Sequence, residues 1–198
     1  AAHADVPVIN GLSDLLHPCQ ALADLLTIEE HFGRLKGLTL GYVGDGNNVL
    51  HALAQACGMV GMNLAVATPD GYRPEASLWT AAKRQAEAHG ASFTWSRDPR
   101  QAVRRADIVY TDVWVSMGRE QEGAKRRLAF KRYQVNDRLL KVASAGCRVM
   151  HCLPAHRGEE ITEPVLEGPR SLVLDQAENR LHVQKALLAM LLGRKRSS

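Results

Sequence analysis

The sequence predicts an α/β fold built on a doubly wound, mainly parallel sheet. Three observations carry that expectation. Short apolar runs alternate along most of the chain with amphipathic stretches of helical length, the rhythm of βαβ units. Those runs are four to six residues long, the length of strands in a parallel sheet whose crossovers are helices. Polar clusters follow several of them directly, where open α/β sheets place their ligands.

Each element has its own justification. Pro18 to Phe32 has helical periodicity, with Leu22, Leu25, Leu26 and Ile28 giving an apolar stripe that ends at Gly33 and Gly37. Leu38–Val43 reads as a buried strand, followed by a helix over Val49–Val60. Asn63–Ala67 is the next strand and Ala76–His89 its helix. Ala91–Trp95 and Ile108–Thr111 are further strands, separated by a short helix near Pro99–Arg105. Val142–Ala145 caps an intervening helical stretch. Arg148–His151 and Ser171–Leu174 complete the strands, and a last helix covers Arg180–Leu192. Right-handed crossovers then place Gly44, Asp112, His151 and Asp175 at one edge of the sheet.

At 198 residues with 45% hydrophobic content, the chain can bury a substantial core. Its formal net charge of +4 comes largely from Lys125-Arg126-Arg127, Lys131-Arg132 and Arg194-Lys195-Arg196. These are dispersed among other residues, so they suit an anionic small molecule or a solvated face, and nucleic acid is not expected as a partner. Cys19, Cys57, Cys147 and Cys152 form no CxxC pair and match no zinc spacing, so no metal site is expected. Cys57 and Cys147 lie in apolar contexts and read as small core residues. The sequence contains neither a signal peptide nor a long apolar span, so no membrane association is expected and the simplest compartment is a reducing, cytoplasmic one. Val6–Gly11 reads as the interior of a protein, which implies further chain before Ala1.

Three polar clusters carry the chemistry. His17-Pro18-Cys19-Gln20 opens a helix, where the partial positive charge of the amino terminus suits a phosphate or a developing oxyanion. There His17 can donate to a carbonyl oxygen and Gln20 can bind the adjacent amide. Asp112, with Ser116-Met117-Gly118, follows a strand and offers a carboxylate for an ammonium group and a short hydroxyl. His151-Cys152-Leu153-Pro154 follows another strand. Adjacent strand residues face opposite ways, so His151 and Cys152 need not form a nucleophilic pair, and Cys152 reads as a group that orients substrate. Asp175–Arg180 adds a further strand-end cluster, in which Arg180 can complement phosphate oxygens or simply lie in solvent. Gly44-Asp45-Gly46-Asn47-Asn48 permits a tight turn and a helix cap. It is half of a dinucleotide fingerprint with Val49 where a third glycine is needed. A helix cap alone, NAD binding with Asp70 at the ribose, and recognition of a zwitterionic substrate by Asn48 all remain open on these residues.

Taken together and in this order, these motifs, with Glu178-Asn179-Arg180, closely resemble those of the aspartate/ornithine carbamoyltransferases, and the Ser-Met-Gly loop favours the ornithine branch. The resemblance implies a carboxyl-terminal portion of such an enzyme. Residues 1–35 would be the end of a carbamoyl-phosphate domain and its linking helix, 36–178 an ornithine-binding domain, and 179–198 a helix returning toward the first domain. It implies that Asn48, Asp112, Ser116 and Met117 bind ornithine. His17, Gln20, Cys152, Leu153 and Arg180 would bind carbamoyl phosphate, with His17, Asp112, Cys152 and Arg180 catalytic. The implied reaction gives citrulline and phosphate by direct attack of the ornithine side-chain amine, without cofactor, in a homotrimer or an assembly of trimers. The family's Ser-Thr-Arg-Thr-Arg phosphate motif is absent, so the isolated chain is expected to be inactive. A non-catalytic ligand-binding or assembly module of the same fold, motivated by that absence and by exposed basic residues near Lys125–Arg132, is the alternative. An NAD-dependent dehydrogenase comes third.

Overall fold

The computed structural model of the chain describes residues 1–116 and 120–193, with the backbone alone at Glu120. Five strands, β1 (Thr39–Val43), β2 (Asn63–Ala67), β3 (Phe93–Ser96), β4 (Ile108–Thr111) and β5 (Arg148–His151), form one sheet in the order β3-β2-β1-β4-β5. Every neighbouring pair is parallel, with Leu40 opposite both Leu64 and Ile108. The α/β, parallel-sheet class expected from the sequence is the one observed.

Period-two alternation divides the strand side chains between two cores. Leu40, Tyr42, Leu64, Ile108, Tyr110 and Met150 face one core, while Val43, Val109 and Val149 face the other. The first is covered by α1 (Pro18–Phe32) and α2 (Asn48–Val60), which supply Ile28, Leu50 and Leu53, and by α3 (Ala76–Ala88), which supplies Ala82 and Ala86. The second takes Val103 from α4 (Pro99–Val103), Phe130 from α5 (Gly123–Phe130), Leu140 from α6 (Asp137–Leu140) and Val165 from α7 (Glu163–Leu166). Local signals set the helix ends. Pro18 and Pro99 occupy first-turn positions, where the missing N–H costs nothing. Asn47, Asp98 and Asn136 accept hydrogen bonds from first-turn amides. Gly33 and Gly61 close α1 and α2 in the left-handed conformation.

The carboxyl-terminal helix, α8 (Val173–Leu192), departs from the sequence expectation. Ser171–Leu174 is not a strand. Val149 donates to the Arg170 carbonyl at 2.8 Å and accepts from Leu172 N at 2.9 Å, after which the chain turns into the helix. Asp175 therefore sits exposed in the first helical turn, where its charge complements the helix dipole, and not at the sheet edge. The last helix starts seven residues before the expected Arg180. The third strand runs over Phe93–Ser96 instead of Ala91–Trp95. Extending α8 toward the amino terminus lets it pack along α1, where Asn179 donates to Thr27 Oγ1 at 3.0 Å and Glu30 Oε2 at 2.7 Å.

The basic run beginning at Lys125 is not wholly a solvated face. Arg126 is buried, and its Nη1 donates to Asp45 Oδ2 at 2.7 Å and to the Trp114 carbonyl at 3.0 Å. Its guanidinium thereby ties the segment after β4 to the turn after β1. Among the described residues, no helix is long and apolar enough to cross a membrane.

Candidate active site

The chain leaves β1 in one direction across the sheet and β4 in the other, so the crevice at their carboxyl ends is a topological switch point. Gly44–Asn47 follows β1, Asp112 follows β4 and Cys152 follows β5. Gly46 is dictated by the approach of another loop, because a Cβ there would fall into the backbone of Arg73 and Pro74. Asn47 uses both ends of its amide. Its Oδ1 accepts from Val49 N and Leu50 N at 3.1 and 3.3 Å, and its Nδ2 donates to Asp112 Oδ2 at 2.6 Å.

Asp112 is buried and collects two more donors on Oδ1, Val113 N at 2.8 Å and the Cys152 thiol at 3.0 Å. Burial, reinforced by the Asp112 charge, holds the Cys152 thiol well above its ordinary pKa. Cys152 is thus a hydrogen-bond donor at neutral pH and not a thiolate nucleophile. Both ring nitrogens of His151 bond to groups other than that thiol. Leu153 N donates to His151 Nδ1 at 2.9 Å, so the ring proton lies on Nε2, which donates to Glu160 Oε1 at 3.2 Å. Asp112, His151 and Cys152 offer ligand atoms within 4.8 Å of one another. With both ring nitrogens of His151 engaged, only a carboxylate and a thiol of that group remain to hold a cation.

The second cluster joins α1 and α8. Arg180 Nη1 donates to Gln20 Oε1 and lies 3.5 Å from His17 Nε2. His17 Nδ1 faces the Gly11 carbonyl at 3.0 Å and must carry the proton there. Burial and the nearby Arg180 charge lower the His17 pKa, so the neutral ring presents a bare Nε2 to Arg180. His17 is in this state an acceptor, where the sequence suggested a donor to a carbonyl oxygen. Asn48 Nδ2 donates to the Ser13 carbonyl at 2.7 Å, which draws the amino-terminal segment over the start of α2. Ser116 and Leu153 are half-buried, and Met117 and Gly118 lie outside the described residues.

A buried chain of hydrogen bonds that the sequence did not disclose connects the two clusters. Gln20 Nε2 donates to Asp24 Oδ1 at 2.8 Å, and Gln176 Nε2 donates to the same oxygen at 2.7 Å. Tyr110 OH donates to Asp24 Oδ2 at 3.1 Å, and Gln176 Oε1 accepts from His151 N at 3.0 Å. A carboxylate at 24 within an apolar helix stripe was the one available signal.

This arrangement defines an α/β domain with two polar clusters at its switch point, each pinned by side-chain bonds. Residues 36–191 match the family described as aspartate/ornithine carbamoyltransferase, Asp/Orn binding domain, and residues 1–30 match its carbamoyl-P binding domain. The chain belongs to the aspartate/ornithine carbamoyltransferase family. It is 57% identical over 193 residues to an ornithine carbamoyltransferase of Gloeobacter violaceus, covering 98% of this chain and 62% of that protein. An ornithine carbamoyltransferase of Thermococcus kodakarensis is 55% identical, with 98% and 61% covered. The solved structure of ornithine carbamoyltransferase from Pyrococcus furiosus superposes with a TM-score of 0.94 at 53% identity, over 98% of this chain and 62% of that one. The chain therefore spans about three-fifths of the length of these relatives.

Proposed function

We propose that this chain is the acceptor-binding part of an ornithine carbamoyltransferase, with most of the carbamoyl-phosphate domain supplied by residues that precede Ala1 in the gene product. Residues 1–35 end that domain, 36–178 bind ornithine, and 179–198 return toward the first domain, with α8 running across the second boundary. The observation that carries the reading is the juxtaposition of two unlike clusters. Asp112, Asn47 and Cys152 form a carboxylate-centred cluster, and His17, Gln20 and Arg180 lie across a buried hydrogen-bonded bridge from it.

In this reading Asn48, Asp112, Ser116 and Met117 hold ornithine, and Asp112 and the Cys152 thiol orient its side-chain amine. Carbamoyl phosphate lies against His17, Gln20, Cys152, Leu153 and Arg180. The neutral amine attacks the carbonyl carbon, a C–N bond replaces the C–O bond to phosphate, the electron pair leaves with phosphate and the nitrogen loses one proton. No electron is gained or lost overall, so the transfer needs no redox cofactor. Orientation of the two reactants and the charge of Arg180 near the departing phosphate supply the catalysis. All four cysteines are free thiols, which supports a cytoplasmic setting. A homotrimer or an assembly of trimers is the quaternary state that accompanies the reading.

The test is acceptor choice in the complete gene product. With carbamoyl phosphate saturating, kcat/KM for ornithine is expected to exceed that for aspartate or N-acetylornithine by about 10⁴-fold, because a site built around buried polar groups rejects ligands that leave them unpaired. Comparable turnover of either alternative contradicts ornithine specificity. Tight ornithine binding that ignores carbamoyl phosphate, without turnover, would favour a non-catalytic module instead.

A further inference from the structure

We infer that Asp24 is a specificity-determining positioning residue, which locks the Gln20 side chain so that its carbonyl oxygen, and not its amide nitrogen, faces the donor site. The inference rests on the functional reading above and adds to it the reason a carbamoyl group is chosen over other acyl groups.

Donor and acceptor accounting fixes the orientation of Gln20. Asp24 Oδ1 lies 2.8 Å from one end of the Gln20 amide, and a carboxylate oxygen only accepts. The Arg180 guanidinium meets the other end, and a guanidinium only donates. Both neighbours demand the same assignment, with NH2 inward and oxygen outward. Gln176 is fixed in the same way, its Nε2 on Asp24 and its Oε1 under His151 N. Asp24 is fully buried, so no water competes for these bonds.

An outward carbonyl oxygen can accept a hydrogen bond from the NH2 of a carbamoyl group. It gains nothing from the methyl group of acetyl phosphate, which has nearly the same shape. Were Gln20 reversed, its NH2 would oppose the carbamoyl NH2, donor against donor.

The lock does not require one protonation state. Burial pushes the Asp24 carboxyl up to about 7, against the hydrogen bonds from Gln20, Gln176 and Tyr110 that favour its ionised form. Oδ1 already takes two amide donors, so an added proton belongs on Oδ2, toward the Tyr110 oxygen. Oδ1 remains an acceptor throughout. An asparagine with its oxygen toward Gln20 and Gln176 and its NH2 toward Tyr110 reproduces that neutral state, whereas leucine offers nothing to accept.

The experiment measures KM for carbamoyl phosphate and Ki for acetyl phosphate in the complete gene product carrying Asp24, Asp24→Asn or Asp24→Leu. Asp24→Asn is expected to keep the ratio Ki/KM within about threefold of wild type, and Asp24→Leu to lower it by about tenfold or more, the scale of one hydrogen bond. Nuclear magnetic resonance of the Gln20 side-chain amide in the unsubstituted protein provides a second readout that does not depend on Asp24→Leu folding. Its protons should exchange slowly with solvent. A folded Asp24→Leu protein with an unchanged ratio, an Asp24→Asn protein as impaired as Asp24→Leu, or freely exchanging Gln20 amide protons each overturns the inference alone. Failure of the unsubstituted protein to form citrulline overturns the functional reading and the inference with it.

Discussion

Expressed alone, the 198-residue chain is expected to form citrulline at less than about one-thousandth of the rate of the full-length Gloeobacter violaceus relative. The dianionic phosphate of the donor needs several converging hydrogen-bond donors. Among the described residues Arg180 is the cation in the cluster proposed to bind the donor, and it is already engaged with Gln20. His17, the other candidate donor, presents a bare nitrogen while neutral. Losing one well-placed transition-state donor costs about 100- to 1000-fold in rate, and the proposed reading places more than one such donor outside these 198 residues. Leu22 of α1 and Leu181 and Leu188 of α8 are exposed, and the proposed reading assigns these faces to contact with the first domain. Steady-state citrulline formation by the purified, folded chain checks this. A rate within about tenfold of the relative's would show that the donor site is already complete.

Asp112→Asn, in the complete gene product, is expected to lower kcat/KM for ornithine by about 100- to 1000-fold. Truncating one partner of a buried, hydrogen-bonded charge pair costs about 2–5 kcal/mol, or roughly 30- to 5000-fold. Asp112 is surrounded by donors, namely Asn47 Nδ2 at 2.6 Å, Val113 N at 2.8 Å and the Cys152 thiol at 3.0 Å. An asparagine must turn its own NH2 against at least one of them, and it forfeits the charge that would hold an ammonium group. The same substitution should lower the Cys152 pKa, because the Asp112 charge is one cause of its rise, while burial, the larger cause, remains. Iodoacetamide labelling of Cys152 at a fixed pH above neutrality should therefore become faster. Unaltered kinetics with ornithine, together with unaltered labelling, would remove Asp112 from the role assigned to it.

The sheet was legible because its central strands are buried on both faces and its turns carry strong local signals. Ile108–Thr111 and Arg148–His151 are bounded as their apolar runs suggest, and Pro18, Asn47 and Gly33 mark helix ends through chemistry confined to one turn. Ser171–Leu174 misled for the same reason. Its three consecutive apolar residues are too few to show a period of their own, and the helix begins among them at Val173. The cluster proposed to bind the acceptor was half visible. Asp112 and Cys152 stand out at strand ends, but the Asn47 amide, read as a helix cap, also reaches Asp112, 65 positions away. The Asp24–Gln176 bond spans 152 positions, and no local pattern announces a pairing between two helices so far apart. Arg126 looked like one charge in a solvated run, and its burial depends on Asp45 in a turn before α2.

Carbamoyl transfer to the ornithine side chain is tested most directly by isotope labelling of both atoms that are to be joined. The complete gene product is incubated with carbamoyl phosphate labelled at carbon and ornithine labelled at its side-chain nitrogen, and the product is read by nuclear magnetic resonance. A one-bond carbon–nitrogen coupling in citrulline is the predicted result. Carbon label recovered only as a hydrolysis product, or joined to the α-nitrogen of ornithine, would contradict it.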